Sequence, residues 1–258
     1  MTTKEKNKLI YEVACEYLLS IVPESIEDIE KYLQNNNELV SLNQVYEILI
    51  QSAQEYQSLP NVIKFIERKE QIKEILYGYD IQKISELDFE ALYYQFRETF
   101  DVKSKDSNMN LWYKWSRAVV DSASYLSQFK DIDDFKEYVN MFDNNTKTRI
   151  ALPLVISTKI RGVGFALACN FLKELGYINY PKPDVHLKDI CFGLNLCDKN
   201  QYEVFDTIIQ IADDNSVSPY RVDKIFWLIG SGFFYDDNIR IGSHKVDFIE
   251  KVNEELNG

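Results

Sequence analysis

Residues 156–190, ISTKIRGVGFALACNFLKELGYINYPKPDVHLKDI, hold the groups whose types and spacing suit chemistry. A helix ending at Lys159 or Ile160 gives way to Gly162-Val163-Gly164, and a second helix opens at Phe165. Glycine on each side of Val163 lets the backbone turn sharply and approach something bulky, because no Cβ intervenes. The second helix then starts with unpaired N–H groups at its positive dipole end, which suits a phosphate. Ala166 and Ala168 are small where two helices of a hairpin must approach, and Val163 is an apolar knob that plugs it. Gly-x-Gly equally suits a helix–helix corner whose glycines serve packing alone, so by itself the pattern leaves both readings open. Further along, Asp184 follows Pro181 and Pro183 and precedes Val185 and His186 at the start of another helix. A carboxylate there is kept ionised by the dipole and backbone N–H groups, and it also caps the helix.

In order and separation these pieces resemble the helix-hairpin-helix DNA glycosylase superfamily. GVGFALA is similar to that family's GVG-x-x-x-A hairpin, and PDVHL to the loop-aspartate segment, which in 8-oxoguanine glycosylases reads Asp-Val-His. The likeness covers roughly residues 145–195. It implies that Asp184 is the catalytic carboxylate, acting on a nucleotide flipped from DNA by stabilising charge on the sugar or deprotonating water. Arg161, Gly162, Val163, Gly164, Phe165 and Ala166 would hold the DNA backbone without reading sequence. The bifunctional members carry a nucleophilic lysine two residues after the second hairpin glycine, and Ala166 stands there. The likeness therefore implies a monofunctional, water-using glycosylase without lyase activity, or a non-catalytic relative. Lys159 and Lys182 are the candidates for an alternative nucleophile or a phosphate contact, with Lys173 and Lys188 also near in sequence. Arg161 replaces the hairpin's frequent proline, adding a potential phosphate contact. The four closely spaced cysteines of cluster-bearing members are missing, so neither cofactor nor metal is expected. Oxidised and alkylated purines are the implied substrates.

A flipped base needs an aromatic pocket and a wedge. Trp112, Trp115 and Trp227 are the candidates to line it, although aromatic residues at helical spacing ordinarily pack the core. His186 reads as a structural group or an orienting one, and His244 as a residue near a helix start. Asp131, Asp133 and Asp134 read as a helix's capped first turn.

Elements that position these residues follow from apolar spacing of three and four, as in Leu9, Val13, Tyr17 and Ile21. Helices are expected near 4–21, 25–35, 43–57, 61–77, 86–100, 108–128, 132–142, 146–159, 164–175, 185–194, 200–213, 219–231 and 243–256. Ser25, Ser85, Asp131 and Ser218-Pro219 give start signals, and Gly176 a left-handed stop. Only 9 glycines and 6 prolines argue against a strand-and-turn architecture. The expected class is all-α: a helix-hairpin-helix glycosylase-like core over residues 106–258, with an N-terminal helical region, 1–105, packed on it. The polar stretch DVKSKDSNM at 101–109 is the expected junction.

The chain has 258 residues with 29 basic and 41 acidic, a formal net charge of −12, so any nucleic-acid surface must be local. Between 159 and 189 the basic residues outnumber the acidic, Lys159, Arg161, Lys173, Lys182 and Lys188 against Glu174, Asp184 and Asp189. Duplex DNA is the implied partner, and the acidic body leaves room for a protein partner. No apolar run is long enough for a membrane span and no leader is evident, which places the expected location in the cytoplasm. Cys15, Cys169, Cys191 and Cys197 show no CxxC pairing, and reduced thiols are expected. The rival from another class is a non-catalytic helix-hairpin-helix module that binds nucleic acid or a protein.

Overall fold

The computed structural model describes residues 1–56 and 58–258. The fold is all-α. In chain order the helices are α1 (Thr3–Ile21), α2 (Glu30–Leu33), α3 (Leu42–Ala53), α4 (Leu59–Ile63), α5 (Lys69–Ile75), α6 (Ile81–Ser85), α7 (Phe89–Thr99), α8 (Leu111–Leu126), α9 (Ile132–Asp143), α10 (Ala151–Lys159), α11 (Phe165–Glu174), α12 (Val185–Gly193), α13 (Gln201–Asn215), α14 (Pro219–Ser231) and α15 (Lys245–Asn257). Two short strands, β1 (Phe233–Phe234) and β2 (Ile239–Arg240), pair antiparallel between α14 and α15. No helix among the described residues is long and apolar enough to cross a membrane.

The chain forms two compact units, Asn37–Leu175 and a discontinuous one made of Met1–Asn36 with Gly176–Gly258. In the first, α8 is the central helix, with α3, α4, α6 and α7 packed on it, while α11 lies on α10 and α3. Asn110 starts α8 by accepting from the Trp112 N–H at 2.9 Å. The apolar face of α8 then buries Trp112, Trp115, Val119 and Leu126. In the second unit α14 is central and packs on α1, α2, α12, α13 and α15. Ser218 caps it by accepting from the Arg221 N–H, and Pro219 occupies the first turn, where no N–H is needed.

A division at residues 105 and 106 does not match this packing. Phe96 and Phe100, before the polar stretch, lie 5.4 and 5.1 Å by ring centres from Trp112, after it. The stretch itself is a loop held to its own unit: the Tyr93 and Tyr94 hydroxyls donate to Asp106, and the Asn110 amide to Ser104 and the Lys105 carbonyl. Polarity therefore marks a surface loop inside one unit.

Three element expectations are also corrected. The helix expected over 61–77 is two: Lys64 turns left-handed at φ 53°, and the Arg68 guanidinium donates to the Val62 and Ile63 carbonyls that end α4. Over 25–35 only Glu30–Leu33 is α-helical, its first N–H bonded to Asp28 and not to Ser25. Ser85 closes α6, while Asp88 caps α7 by accepting from Glu90 and Ala91. In both cases a carboxylate, a stronger acceptor than a hydroxyl, takes the exposed N–H groups.

Candidate functional site

In the unit Asn37–Leu175, α10 and α11 form a hairpin. The Val163 N–H donates to the Ile160 carbonyl at 3.1 Å, closing a tight turn in which Gly162 takes φ +93°. Val163 is buried to 1% exposure as the plug, while Arg161, Gly162 and Gly164 remain on the surface. Gly164 is the N-cap residue of α11 in extended conformation, φ −78°. It has no side chain with which to cap, and a Cβ built on it would meet nothing within 4 Å. The first-turn N–H groups of α11 thus open at an uncovered, exposed glycine, the arrangement an anion needs.

Arg161 belongs to a different arrangement from the one its position suggests. Its backbone N–H donates to Asp121 Oδ2 at 3.0 Å, its Nε to the same oxygen at 2.7 Å and its Nη2 to Oδ1 at 2.7 Å. The guanidinium is a bidentate partner of a carboxylate on α8, which fixes the hairpin to that helix. As a phosphate contact Arg161 is therefore already occupied. Lys159, the last residue of α10, is exposed. Lys173 is 3% exposed and adds no surface charge, so the local positive balance is smaller than the count along the chain. Phe165 is buried, and Ala166 is half-buried on the first turn.

Trp112 and Trp115, expected as pocket candidates, are core residues of this unit at 1% exposure each. The Trp115 indole donates to the Ile50 carbonyl at 3.0 Å, and both rings pack on Phe96. With the Trp115 indole N–H paired and both rings buried, they offer no surface to a base.

In the unit carrying Gly176–Gly258, Asp184 is the N-cap of α12. Its Oδ1 accepts from the His186 N–H at 2.8 Å and from Leu187 at 3.2 Å, and Oδ2 makes no hydrogen bond among the described residues. The carboxylate is half-buried. Its loop is pinned from behind: the Lys182 N–H donates to Asp223 Oδ2 at 2.5 Å, and the Tyr220 N–H to the Ile178 carbonyl at 2.9 Å. Both anchors lie on α14, and Asp223 is fully buried. Sequence reading missed Asp223 and Asp121. An acidic residue inside the apolar run VDKIFWLIG was the available signal for the first, whereas nothing local marks the second.

His186 sits against the backbone of Gly230, where a Cβ would lie 2.8 Å from the imidazole-bearing Cβ. Its Nδ1 is buried without a hydrogen-bond partner among the described residues. Trp227 is half-buried in this same unit, with ring centres 6.3 Å from His186, 6.5 Å from Phe233 and 5.8 Å from Tyr235. Lys224 lies beside it, its Nζ donating to the Tyr235 hydroxyl at 3.1 Å and standing 5.9 Å from the Trp227 ring centre. Of the three tryptophans, Trp227 alone keeps part of its surface uncovered. Lys182, half-buried, is placed by the backbone anchor described above. Asp131 accepts from the Asp133 and Asp134 N–H groups, the geometry of a cap, and His244 stands at the start of α15.

No family model, no curated protein and no solved structure matches the chain.

Proposed function

We propose that this protein recognises a damaged or modified purine nucleotide flipped from DNA and hydrolyses its base–sugar N-glycosidic bond, with Asp184 as the carboxylate and the 162–164 turn holding a backbone phosphate. The observation that carries the reading is the pair of fates of the Asp184 oxygens. Oδ1 is fixed by two backbone N–H groups, which orient the carboxylate, while Oδ2 makes no hydrogen bond among the described residues. An anion held this way can stabilise positive charge developing on a sugar or accept a proton from attacking water. The uncovered first turn of α11 supplies the phosphate site. Because Ala166 occupies the hairpin position that carries the nucleophile in bifunctional glycosylases, water is the attacking group in this reading.

Single-turnover assays on duplexes bearing oxidised and alkylated purines test it. Asp184→Asn keeps a good N-cap, so folding is retained while the carboxylate is lost. Abasic-site formation is expected to fall by about a hundredfold to ten-thousandfold with the melting temperature nearly unchanged. Binding of lesion duplex without any excision would instead establish the non-catalytic module. Absence of binding even at low salt would leave the hairpin as a packing corner. A covalent adduct trapped by borohydride would replace water with Lys159 or Lys182 as nucleophile.

A further inference from the structure

We propose that Cys191 and Cys197 are a peroxide-reactive dithiol that closes to an intrachain disulfide, a modification site independent of the glycosylase reading. The helix end builds it. After α12 stops at Gly193, Asn195 turns left-handed at φ 50°, and the Leu196 N–H reaches back to the Cys191 carbonyl at 3.0 Å. Asparagine tolerates that conformation well, and the reversal carries the next residue back along the last turn. Cys197, the next residue, is thereby brought back toward Cys191, and the two thiols interact. Cys191 is fully buried and Cys197 half-exposed, so one sulfur is protected and the other is reachable.

The two thiols are electronically unlike. The hydrogen bond from Cys191, helped by one from Thr207, brings the Cys197 thiol down to about 7 in spite of burial, Glu203 and Asp198. Donating that bond, together with burial, pushes Cys191 well above the usual thiol range. Cys15, in the same unit, is raised chiefly by burial. Near neutral pH, Cys197 is thus the nucleophile and Cys191 the proton-bearing partner.

With hydrogen peroxide as the oxidant class the balance closes. The Cys197 thiolate attacks one peroxide oxygen, the S–O bond forms, the O–O bond breaks, and the departing hydroxide takes a proton to become water. Cys191 then gives up its proton and attacks the Cys197 sulfur; the S–S bond forms, the S–O bond breaks, and a second water leaves. The sulfurs lose two electrons to the peroxide.

The test uses the full reduced chain with equimolar hydrogen peroxide, followed by digestion without reductant and mass analysis. A loss of two hydrogens joining Cys191 to Cys197 is expected. Cys197→Ser should abolish it, and Cys191→Ser should leave a sulfenic acid at Cys197 that dimedone traps. Alkylation of unoxidised protein by iodoacetamide at pH 7 should be about tenfold faster at Cys197 than at Cys15, rising with pH to a midpoint near 7. The proposal fails if the wild-type digest shows both cysteines reduced, if either pairs with Cys15 or Cys169, or if Cys197 alkylates no faster than Cys15. The wild-type digest needs no variant, so poor folding of a substituted chain leaves the test intact.

Discussion

The two hairpin glycines perform different tasks, although they look alike in the sequence. Gly162 is there for its backbone: φ +93° is a conformation in which a side chain is strained, even though a Cβ would meet nothing nearer than 3.8 Å, at Ala118. Gly164 has an ordinary φ of −78° and open space around it, so no demand of the fold excludes alanine. An added methyl at Gly164 therefore tests whether the exposed start of α11 serves as a binding surface. Gly162→Ala is accordingly expected to cost about 1–2 kcal/mol in denaturant unfolding. Gly164→Ala should leave stability within about 0.5 kcal/mol and weaken DNA binding severalfold. Equal destabilisation by the two substitutions, with binding unaffected, would assign both glycines to packing. The same separation of roles applies at Asp184, where asparagine preserves the cap and removes only the charge.

At the scale of elements, strong starts were legible because their signals are local. Asp131 and Ser218-Pro219 stand where α9 and α14 begin, and Gly176 leaves α11 at φ +97°. The break at Lys64 was not legible, since it depends on Arg68 reaching back to carbonyls and on Gln54 accepting from the Phe65 N–H. The candidate site divides in the same way. The hairpin turn and the cap at Asp184 are sequence-local and visible, whereas the Asp121 clamp on Arg161 and the burial of Trp112 and Trp115 come from helices distant along the chain. Gly232 shows how far such distant contacts can constrain one position. It ends α14 at φ +59°, and a Cβ there would fall 1.6 Å from the Gly242 carbonyl oxygen. The Ile241 N–H donates to the Gly232 carbonyl at 2.9 Å, so this crossing of backbones also holds the short β1–β2 ribbon against the end of α14. Since the obstacle is backbone and cannot rotate aside, Gly232→Ala should cost on the order of 3 kcal/mol, read as a drop in the urea midpoint. A loss below about 1 kcal/mol would mean that the ribbon moves freely from the helix end.

For the whole molecule, charge decides how any nucleic acid is held. The unit made of Met1–Asn36 and Gly176–Gly258 has 12 basic and 21 acidic residues, whereas Asn37–Leu175 has 17 and 20. The acidity is thus concentrated in the unit bearing Asp184, and the hairpin's unit is nearly balanced. Affinity carried by phosphate contacts changes with salt by a log–log slope of about −0.9 for each phosphate neutralised on duplex DNA. Lys173 is buried and Arg161, though exposed, is paired with Asp121, so Lys159 is the exposed hairpin cation with no ion pair among the described residues, and the wild-type slope should be shallow, about −1 to −2. Lys159→Ala should remove about one unit of that slope between roughly 50 and 200 mM salt, measured by anisotropy of a labelled duplex. Arg161→Ala should change the slope by less than half as much, because its charge is already spent on a carboxylate. An equal effect of the two would show that Arg161 exchanges Asp121 for phosphate on binding, in which case Asp121→Asn should strengthen binding at every salt concentration.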